Sequence, residues 1–441
     1  MSVVSEIRKL FTYRDNIVNI IRSKGVEVPE NTKLRDIPDY MADLQKVDDD
    51  TEEFSGDWSE ELFEQELLKA HIEYDTERSK YTGHVDVDGL KEIGWSDSDI
   101  EYFQTHGVDW MEEDDDQYLV SDYEKNLYKS NTMISKYTST NVNNNDPDIV
   151  EWRNNIRWMP KFTIANLNIT FRNFEKMIGC PFYNFTSATS AANLFSYCRE
   201  LRCVQPLLFK PNTAWSGSSM FMYCNKLREL PTMDWSYCTN LSSAFKGCTN
   251  LVKVPEINVP NCTTVSSAFW GCRSLKVIDN LVTSSKLTNV TSMFGNCRSL
   301  VIVPLFITSS ATSFSEMFAN CFSLKAVPSF DVTKVTNFGN TWRNCNSLIK
   351  LPDMNFQPIV TTYSAMCQCC TNLKHIPTTM DFTATTSIAN MFDFCENIEE
   401  FPYKLNLNSA ATSAAEGIKT FTQPLSNSKI KELSFGKFYC T

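Results

Sequence analysis

A pattern of apolar and polar positions repeats nine times between about residue 194 and residue 402. Each repeat contains one cysteine at the same place, and consecutive cysteines are 24 to 26 residues apart. These cysteines number the repeats 1 to 9: Cys198, Cys224, Cys248, Cys272, Cys297, Cys321, Cys345, Cys370 and Cys395. In eight repeats an aromatic residue lies three positions before the cysteine, and in all nine a leucine or isoleucine lies three positions after it. Self-similarity at this period indicates a solenoid of stacked repeats.

Each repeat combines two kinds of local pattern. In repeat 6, residues 313–321 predict a short helical turn and residues 323–330 a short strand. Stacked repeats would align their strands into a parallel sheet, with the aromatic, cysteine and leucine positions filling the interior. The predicted fold class is therefore an α/β repeat solenoid of short parallel strands and helical turns, preceded by a mostly helical N-terminal region.

The N-terminal region predicts several helices. Residues 2–24 contain a short heptad pattern, which indicates either a helix packed on its own chain or a helix for docking and oligomerisation. The candidate docking and oligomerisation residues are Val4, Ile7, Phe11, Val18 and Ile21. Residues 59–74 predict another helix, and Ser96 is the expected N-cap of a helix within residues 95–110.

These patterns divide the chain into five predicted segments. Residues 1–45 form a helical docking or oligomerisation module, and residues 46–150 form an acidic, mostly helical connector that ends at the polar stretch 141–148. Residues 151–179 cap the solenoid, which occupies residues 180–402. Residues 403–441 cap its other end, because an exposed terminal repeat needs covering.

Charge is distributed unevenly along the chain. The net charge of −12 is the sum of 0 for residues 1–45, −21 for residues 46–150 and +9 for residues 151–441. The chain therefore has no strong electrostatic footprint for nucleic acid. No stretch approaches the roughly 18 apolar residues of a membrane span, and the first residues do not form the pattern of a signal peptide. We expect no nucleic-acid partner and no membrane insertion.

The chain offers little for catalysis or metal binding. All 16 cysteines lie at or after Cys180, and their place in the repeats favours buried, reduced thiols. Cys367, Cys369, Cys370 and His375 could be combined into a zinc site, but two of these cysteines fall on core positions of repeat 8, which favours packing. No nucleophile elbow, phosphate loop or HExxH motif is present. We predict no enzyme activity, no catalytic residue, no metal and no cofactor.

Basic residues mixed with apolar ones follow each repeat leucine. The candidate ligand-facing residues are Arg228, Lys253, Lys276, Lys325, Lys350, Lys374 and His375. Aligned strands would place them on one surface that suits an acidic glycan or a protein partner. The alternative is a solvated face, with lysines that oppose aggregation. Tryptophans outside the core positions, which could stack on sugars or pack domains together, are Trp95, Trp110, Trp215 and Trp235.

The repeat MFANCFSLKAVPSFDVTKVTN resembles BspA-like leucine-rich repeats, which occur in bacterial surface proteins and in phage proteins. The resemblance covers roughly residues 180–402, with Cys367 in an aromatic position and Asp279 in a proline position as departures. Residues 21–41 resemble a module at the start of phage appendage proteins. Residues 94–115 are similar to a segment found beside such repeats in phages of Bacteroides-type hosts, including crAss-like phages.

This resemblance implies a structural virion protein of a phage, a head or tail fibre or decoration protein. Such a protein would assemble in the host cytoplasm and lie on the virion surface. Its N-terminal part would dock to capsid or tail proteins, as a dimer or trimer, and its solenoid would project toward a host-surface glycan or protein. One alternative is a bacterial cell-surface leucine-rich-repeat adhesin, which would need an export signal. Another alternative is a cytoplasmic interaction scaffold.

Overall fold

The computed structural model describes residues 56–78, 87–106, 145–161, 171–181, 184–185, 190–230, 233–377 and 379–398. By its internal contacts the chain divides into Met1–Ser55 and Gly56–Thr441, and all described residues belong to the second unit. Described residues on both sides of the polar stretch 141–148, where the sequence suggested a boundary, belong to this second unit. The predicted module 1–45 and the predicted cap 403–441 lie outside the described residues.

Four helices precede the repeats in the described part of the chain: α1 (Glu60–Arg78), α2 (Val87–Glu92), α3 (Asp97–His106) and α4 (Pro147–Asn155). The helix predicted over residues 59–74 is confirmed as α1. The predicted N-cap of α3 is also confirmed, since the Ser96 Oγ accepts a hydrogen bond from the Asp99 N–H at 3.2 Å. None of the described helices is both long enough and apolar enough to cross a membrane.

In the described part of the chain the strands are only two or three residues long, and all of their pairings are parallel. They are β1 (Gly179–Cys180), β2 (Asn184–Phe185), β3 (Cys203–Val204), β4 (Leu208–Phe209), β5 (Trp215–Ser216), β6 (Cys238–Asn240), β7 (Lys253–Val254), β8 (Ile257–Asn258), β9 (Val277–Ile278) and β10 (Leu281–Val282). The pairs are β1–β3, β2–β4, β5–β6, β7–β9 and β8–β10. Lys253 pairs with Val277, which is the equivalent residue of the next repeat. The strand predicted over residues 323–330 is absent, and single hydrogen bonds such as that from Lys325 N–H to Val301 O (2.9 Å) join the repeats there.

The segment before each cysteine is a series of tight turns, and not the short helix that the sequence predicted. In repeat 6 the N–H groups of Met317 and Cys321 donate to the carbonyl three residues earlier, whereas those of Phe318 and Asn320 donate to carbonyls of repeat 7. This alternation uses left-handed backbone at two places per repeat, here Glu316 (φ 57°) and Asn320 (φ 63°). An α-helix would use these N–H groups internally, so the turns allow neighbouring repeats to bond to each other.

A glycine is required at one of these left-handed positions. Gly247, directly before the cysteine of repeat 3, has φ 76°. A Cβ atom at this position would collide with the ring of Tyr223, the equivalent residue of repeat 2. Glycine therefore satisfies both the backbone conformation and the close approach of the neighbouring repeat.

The aromatic, cysteine and leucine positions form one continuous core through the nine repeats, as predicted. From Phe195 to Phe318, rings of neighbouring repeats stack with centroids 5.1 to 5.9 Å apart and interplanar angles of 7° to 17°. The repeat leucines from Leu201 to Leu373 are 0% exposed. Stacked rings and buried leucines remove a large apolar surface from water, which is the main source of stability in such a stack.

Each core cysteine also makes a hydrogen bond that the sequence did not reveal. Its Sγ–H donates to the carbonyl of the residue at the aromatic position of the preceding turn, over Sγ–O distances of 2.9 to 3.2 Å. These nine cysteines are free thiols and buried. The thiol therefore fills a small apolar space and adds a second donor to a buried carbonyl that already accepts a backbone N–H, as the Phe245 carbonyl accepts that of Cys248 at 3.1 Å.

Aromatic residues cover the end of the stack before repeat 1, where the sequence predicted a cap. Phe171 stacks on Phe195 with ring centroids 5.5 Å apart. Trp95, between α2 and α3, lies edge-on against Trp158 at 5.6 Å and donates its Nε1–H to the Met159 carbonyl at 2.8 Å. Helices α2 and α3 thus contribute to this end of the stack.

Three of the tryptophans considered for sugar stacking are buried. Trp95, Trp215 and Trp235 are 3%, 2% and 3% exposed. Trp215 stacks on Phe209 at 4.2 Å and contacts Trp235 at 5.7 Å. The sugar-stacking interpretation is wrong for these three, because their rings pack against other rings inside the protein. Trp110 lies outside the described residues.

Candidate functional site

The two residues that follow each repeat leucine lie beside the equivalent residues of the neighbouring repeats. We call the basic face the surface formed by Arg228, Lys253, Lys276, Lys325, Lys350, Lys374 and His375, together with Val277 and Ile302 between them. Backbone pairing aligns these positions, as between Lys253 and Val277 or between Lys350 and His375. The seven basic residues are all half-buried.

Acidic residues of α1 and of the segment before it form ion pairs with the basic face. Asp57 Oδ1 lies 2.7 Å from Lys350 Nζ, and this hydrogen bond raises the pKa of the lysine. Glu66 Oε1, which is largely buried, lies 2.9 Å from Lys325 Nζ. Glu73 pairs with Lys276. The predicted ligand-facing residues Lys276, Lys325 and Lys350 are therefore already paired with acidic residues of the same chain.

Apolar contacts lie between these ion pairs. Ala70 of α1 packs against Val277 and Ile302 of repeats 4 and 5, and both of these residues are at most 1% exposed. Trp58 donates its Nε1–H to the Val303 carbonyl at 3.1 Å. The contact thus combines a small apolar centre with a charged margin.

Two irregular features of the sequence lie where this segment touches the repeats. Gly56, with φ 81°, comes so close to repeat 7 that an added Cβ would lie 2.9 Å from the Ile349 Cβ. Asp279, which replaces the proline of repeat 4, forms a hydrogen bond of 2.8 Å with His71 Nε2. A departure from the repeat pattern therefore coincides with a contact to α1.

The sequence prediction found the basic residues and missed their acidic partners. Asp57, Glu66 and Glu73 belong to residues 46–150, whose net charge is −21, whereas residues 151–441 have a net charge of +9. That opposition indicated attraction between the two regions. The seven-residue spacing of Glu66 and Glu73, which puts both on one side of a helix, pointed to the same segment.

The residues considered for zinc do not come together as a site. Cys367 and Cys370 are buried in the core, whereas Cys369 is half-buried outside it. Within the described ranges, no group of three or more His, Cys, Asp or Glu side chains is arranged to hold a metal ion. The candidate docking residues Val4, Ile7, Phe11, Val18 and Ile21 lie outside the described part of the chain.

A family model described as "Mycoplasma protein of unknown function, DUF285" matches residues 189–304, 288–404 and 312–428. These overlapping matches together span residues 189–428, more than half of the 441 residues. The chain belongs to this family. The residues matched to DUF285 include all nine core cysteines and the whole basic face, whereas α1 precedes them. A comparison with curated proteins found no match.

Solved structures similar to this DUF285 chain include two bacterial leucine-rich-repeat proteins. A leucine-rich cell-surface protein from Faecalibacterium prausnitzii A2-165 is 17% identical, and the match covers 49% of this chain and 75% of that chain with a TM-score of 0.24. A leucine-rich-repeat protein from Eubacterium ventriosum ATCC 27560 is 14% identical, with coverages of 55% and 76% and a TM-score of 0.23. At these TM-scores the superpositions add nothing to the repeat fold that the hydrogen bonds of the DUF285 chain already establish.

Proposed function

We propose that this chain is a non-enzymatic binding protein that acts by adhesion at a surface. Its repeats form a leucine-rich-repeat solenoid, and the basic face of that solenoid recognises a protein or an acidic glycan. The observation that carries the proposal is that repeats 2, 3, 4, 6, 7 and 8 have a basic side chain at one or both of the two positions after the repeat leucine, beside an apolar centre. A continuous surface with these properties is typical of recognition by repeat proteins.

Among the functions predicted from sequence, the bacterial cell-surface adhesin is favoured. The Faecalibacterium prausnitzii neighbour is itself described as a cell-surface protein. The family description gives no function, and neither neighbour is described as a virion protein. Support for the adhesin therefore comes from the repeat fold and the basic face of this chain, and its location on a cell surface is part of the proposal.

The narrower prediction, a phage head or tail fibre or decoration protein, remains a prediction. It depends on the resemblance of residues 21–41 and 94–115 to phage proteins. In that case Val4, Phe11 and Val18 would dock a dimer or trimer to capsid or tail proteins. Mass spectrometry of purified virions and of proteins released by protease from intact cells would distinguish the two locations.

The adhesive function can be tested on intact bacteria. A fluorescently labelled full chain is incubated with a panel of bacterial cells, and bound fluorescence is measured by flow cytometry. We expect saturable binding to at least one surface. Lys276→Glu, Lys325→Glu and Lys350→Glu together should weaken it about tenfold, because three charge contacts of about 0.5 kcal/mol each are reversed.

A matched control changes the same charge away from the basic face. Lys210, Lys286 and Lys334 are exposed and lie outside the positions that follow the repeat leucines. Their joint replacement by glutamate should leave cell binding within about twofold of the native level. Equal losses in both variants would exclude the basic face as the adhesive surface. Absence of binding to every surface would overturn adhesion and favour the cytoplasmic scaffold.

A further inference from the structure

Helix α1 and the basic face match in spacing as well as in charge. Glu66 and Glu73 are two helical turns apart, about 10.5 Å along the helix axis at 1.5 Å per residue. Their partners Lys325 and Lys276 belong to repeats 6 and 4, two steps of about 4.8 Å and thus about 9.6 Å apart. Carboxylates seven residues apart on a helix therefore reach basic side chains of alternate repeats.

The apolar part of this contact lies between the two ion pairs. Ala70 is 8% exposed and packs against Val277 and Ile302, at positions where repeats 3 and 7 have lysine. A small side chain at residue 70 allows the helix to approach the repeats closely. An apolar centre with cations on both sides fits the recognition of an amphipathic acidic helix in a groove.

The contacts between α1 and the basic face contribute less stability than the packing inside the stack. In the Lys276–Glu73 pair the lysine side chain is 37% exposed and the glutamate 59%, whereas in the Lys325–Glu66 pair the lysine is 43% exposed and the glutamate 9%. Exposed ion pairs add little stability each and are screened by salt. The apolar residues that surround Ala70 are only partly buried: Trp58, Leu62, Phe63 and Leu67. Release of α1 would therefore leave the core intact.

We propose that the basic face is a binding site for an acidic amphipathic helix of a partner protein, and that α1 is a built-in occupant which this helix displaces. The proposal rests on the adhesive function above and specifies its ligand. The recognised features are two carboxylates seven residues apart and a small apolar residue between them, as in Glu66, Ala70 and Glu73. Charge complementarity selects against basic helices.

The test uses a labelled peptide of residues 56–78 as the probe and the full chain as the receptor. Glu66→Lys and Glu73→Lys in the receptor open the face, because they bring cations next to Lys325 and Lys276. Fluorescence anisotropy then measures peptide affinity. We expect the native peptide to bind this opened receptor. A contact-deficient peptide, with Glu66→Gln and Glu73→Gln, should bind at least about tenfold more weakly, a change of about 1.4 kcal/mol.

Two controls make the comparison specific. A charge-matched peptide, with Glu60→Gln and Glu64→Gln, has the same charge change at exposed residues, and should bind within about twofold of the native peptide. A receptor with Lys276→Glu and Lys325→Glu should no longer bind the native peptide. It should instead bind a peptide with Glu66→Lys and Glu73→Lys. Recovery by exchanged charges requires a folded face, so misfolding of the receptor cannot produce it.

Equal affinity of the native, contact-deficient and charge-matched peptides for the opened receptor would overturn the proposal, as would no binding of any of them. Cross-links between α1 of one copy and the basic face of another, found by mass spectrometry in a mixture of unlabelled and isotope-labelled native chains, would also overturn it, because the occupant would be a second copy. If no peptide binds but cell adhesion still depends on the lysines, the helix proposal fails and the adhesive function stands, with an anionic ligand that is not a helix. If the peptides bind as expected but the chain does not adhere to any cell, the helix-binding site is supported and only the adhesive function is excluded.

Discussion

At the scale of single residues, a buried thiol connects each repeat to the preceding one. The Cys272 Sγ–H donates to the Phe245 carbonyl at 3.1 Å, and burial raises the pKa of this thiol well above its usual range. Alanine lacks the donor, and serine buries a more polar group at greater cost. Cysteine combines small apolar volume with one weak donor, which explains its use at this place in every repeat.

Replacement of one core cysteine tests this role. Cys272→Ala should lower the free energy of unfolding by about 1–2 kcal/mol, since it opens a small cavity and removes one of the two donors to the Phe245 carbonyl, which keeps the Cys248 N–H at 3.1 Å. Urea denaturation followed by circular dichroism measures the change. Cys369→Ala, at a half-buried thiol outside the core positions, should stay within about 0.5 kcal/mol of the native chain. Equal effects of the two substitutions would contradict the role of the hydrogen bond.

Alkaline pH should destabilise the folded chain. Thiols of the unfolded chain ionise above about pH 8.5, whereas burial raises the pKa of Cys248 to about 12 in the folded chain. The unfolded state then binds fewer protons than the folded state. The contribution of the buried thiol to the free energy of unfolding is therefore fully present below about pH 8 and is lost as pH rises toward 12. Each such thiol should contribute a loss of about 1.4 kcal/mol one pH unit above its unfolded pKa. Urea midpoints at pH 7.5 and pH 10 measure it, and Cys248→Ala should reduce the difference.

At the scale of elements, the docking of α1 explains irregularities in the repeat pattern. Asp279 interrupts the series of prolines and contacts His71. Val277 and Ile302 lie at the position where repeats 3, 7 and 8 have a basic residue, and both are buried beneath Ala70. These departures mark the contact area of one helix on an otherwise regular stack.

A charge placed in the centre of that contact should release the helix. Ala70→Glu would bury an unpaired carboxylate against Val277 and Ile302, which costs several kcal/mol. We expect hydrogen exchange of α1 to accelerate at least about tenfold while the repeats stay protected. Gln65→Glu adds the same charge outside this contact and replaces the hydrogen bond from Gln65 to Glu61 by two like charges, so it should accelerate exchange in α1 only about twofold. Acceleration in the repeats as well would show that α1 is part of the core.

The interior of the repeats could be predicted from the sequence, but their backbone could not. Phe318, Cys321 and Leu324 are three residues apart, and this spacing suits a helical turn and successive tight turns alike. Left-handed backbone at Glu316 runs against the preference of that residue, so only contact with the next repeat explains it. The basic face was visible from its lysines. Its pairing with α1 was not, because regional charges indicate attraction without fixing which side chains meet.

At the scale of the whole molecule, residues before the repeats contribute to the same unit as the repeats. Helix α1 covers part of the basic face, and Trp95 packs on Trp158 near the first repeat. The acidic region expected to be a connector therefore contacts the stack at two separate places. The unit that contains the repeats begins at Gly56, well before the polar stretch at residues 141–148.

Truncations distinguish the contributions of these regions. A chain of residues 56–441 should keep the melting temperature of the full chain, whereas a chain of residues 151–441 should melt at least about 4 °C lower, on the order of 2 kcal/mol, because Trp158 and Ile302 lose their cover. Differential scanning calorimetry measures this. Light scattering on the same samples tests the predicted dimer or trimer, which both truncations should convert to a monomer. An unchanged melting temperature for residues 151–441 would contradict the structural role of α1 and Trp95.

Backbone hydrogen bonds between repeats point in two opposite directions. In the turns they run toward the next repeat, as from Phe318 N–H to Thr341 O at 2.9 Å, and after the leucine they run toward the preceding one, as from Lys325 N–H to Val301 O at 2.9 Å. Because the two sets of peptide dipoles oppose each other, no large electrostatic field accumulates at the ends of a longer stack. Whole repeats can therefore be gained or lost during evolution at little cost. Between repeats 4 and 7, however, a deletion would shift the lysines by about 4.8 Å relative to the carboxylates of α1, so length variation among homologues should avoid that interval.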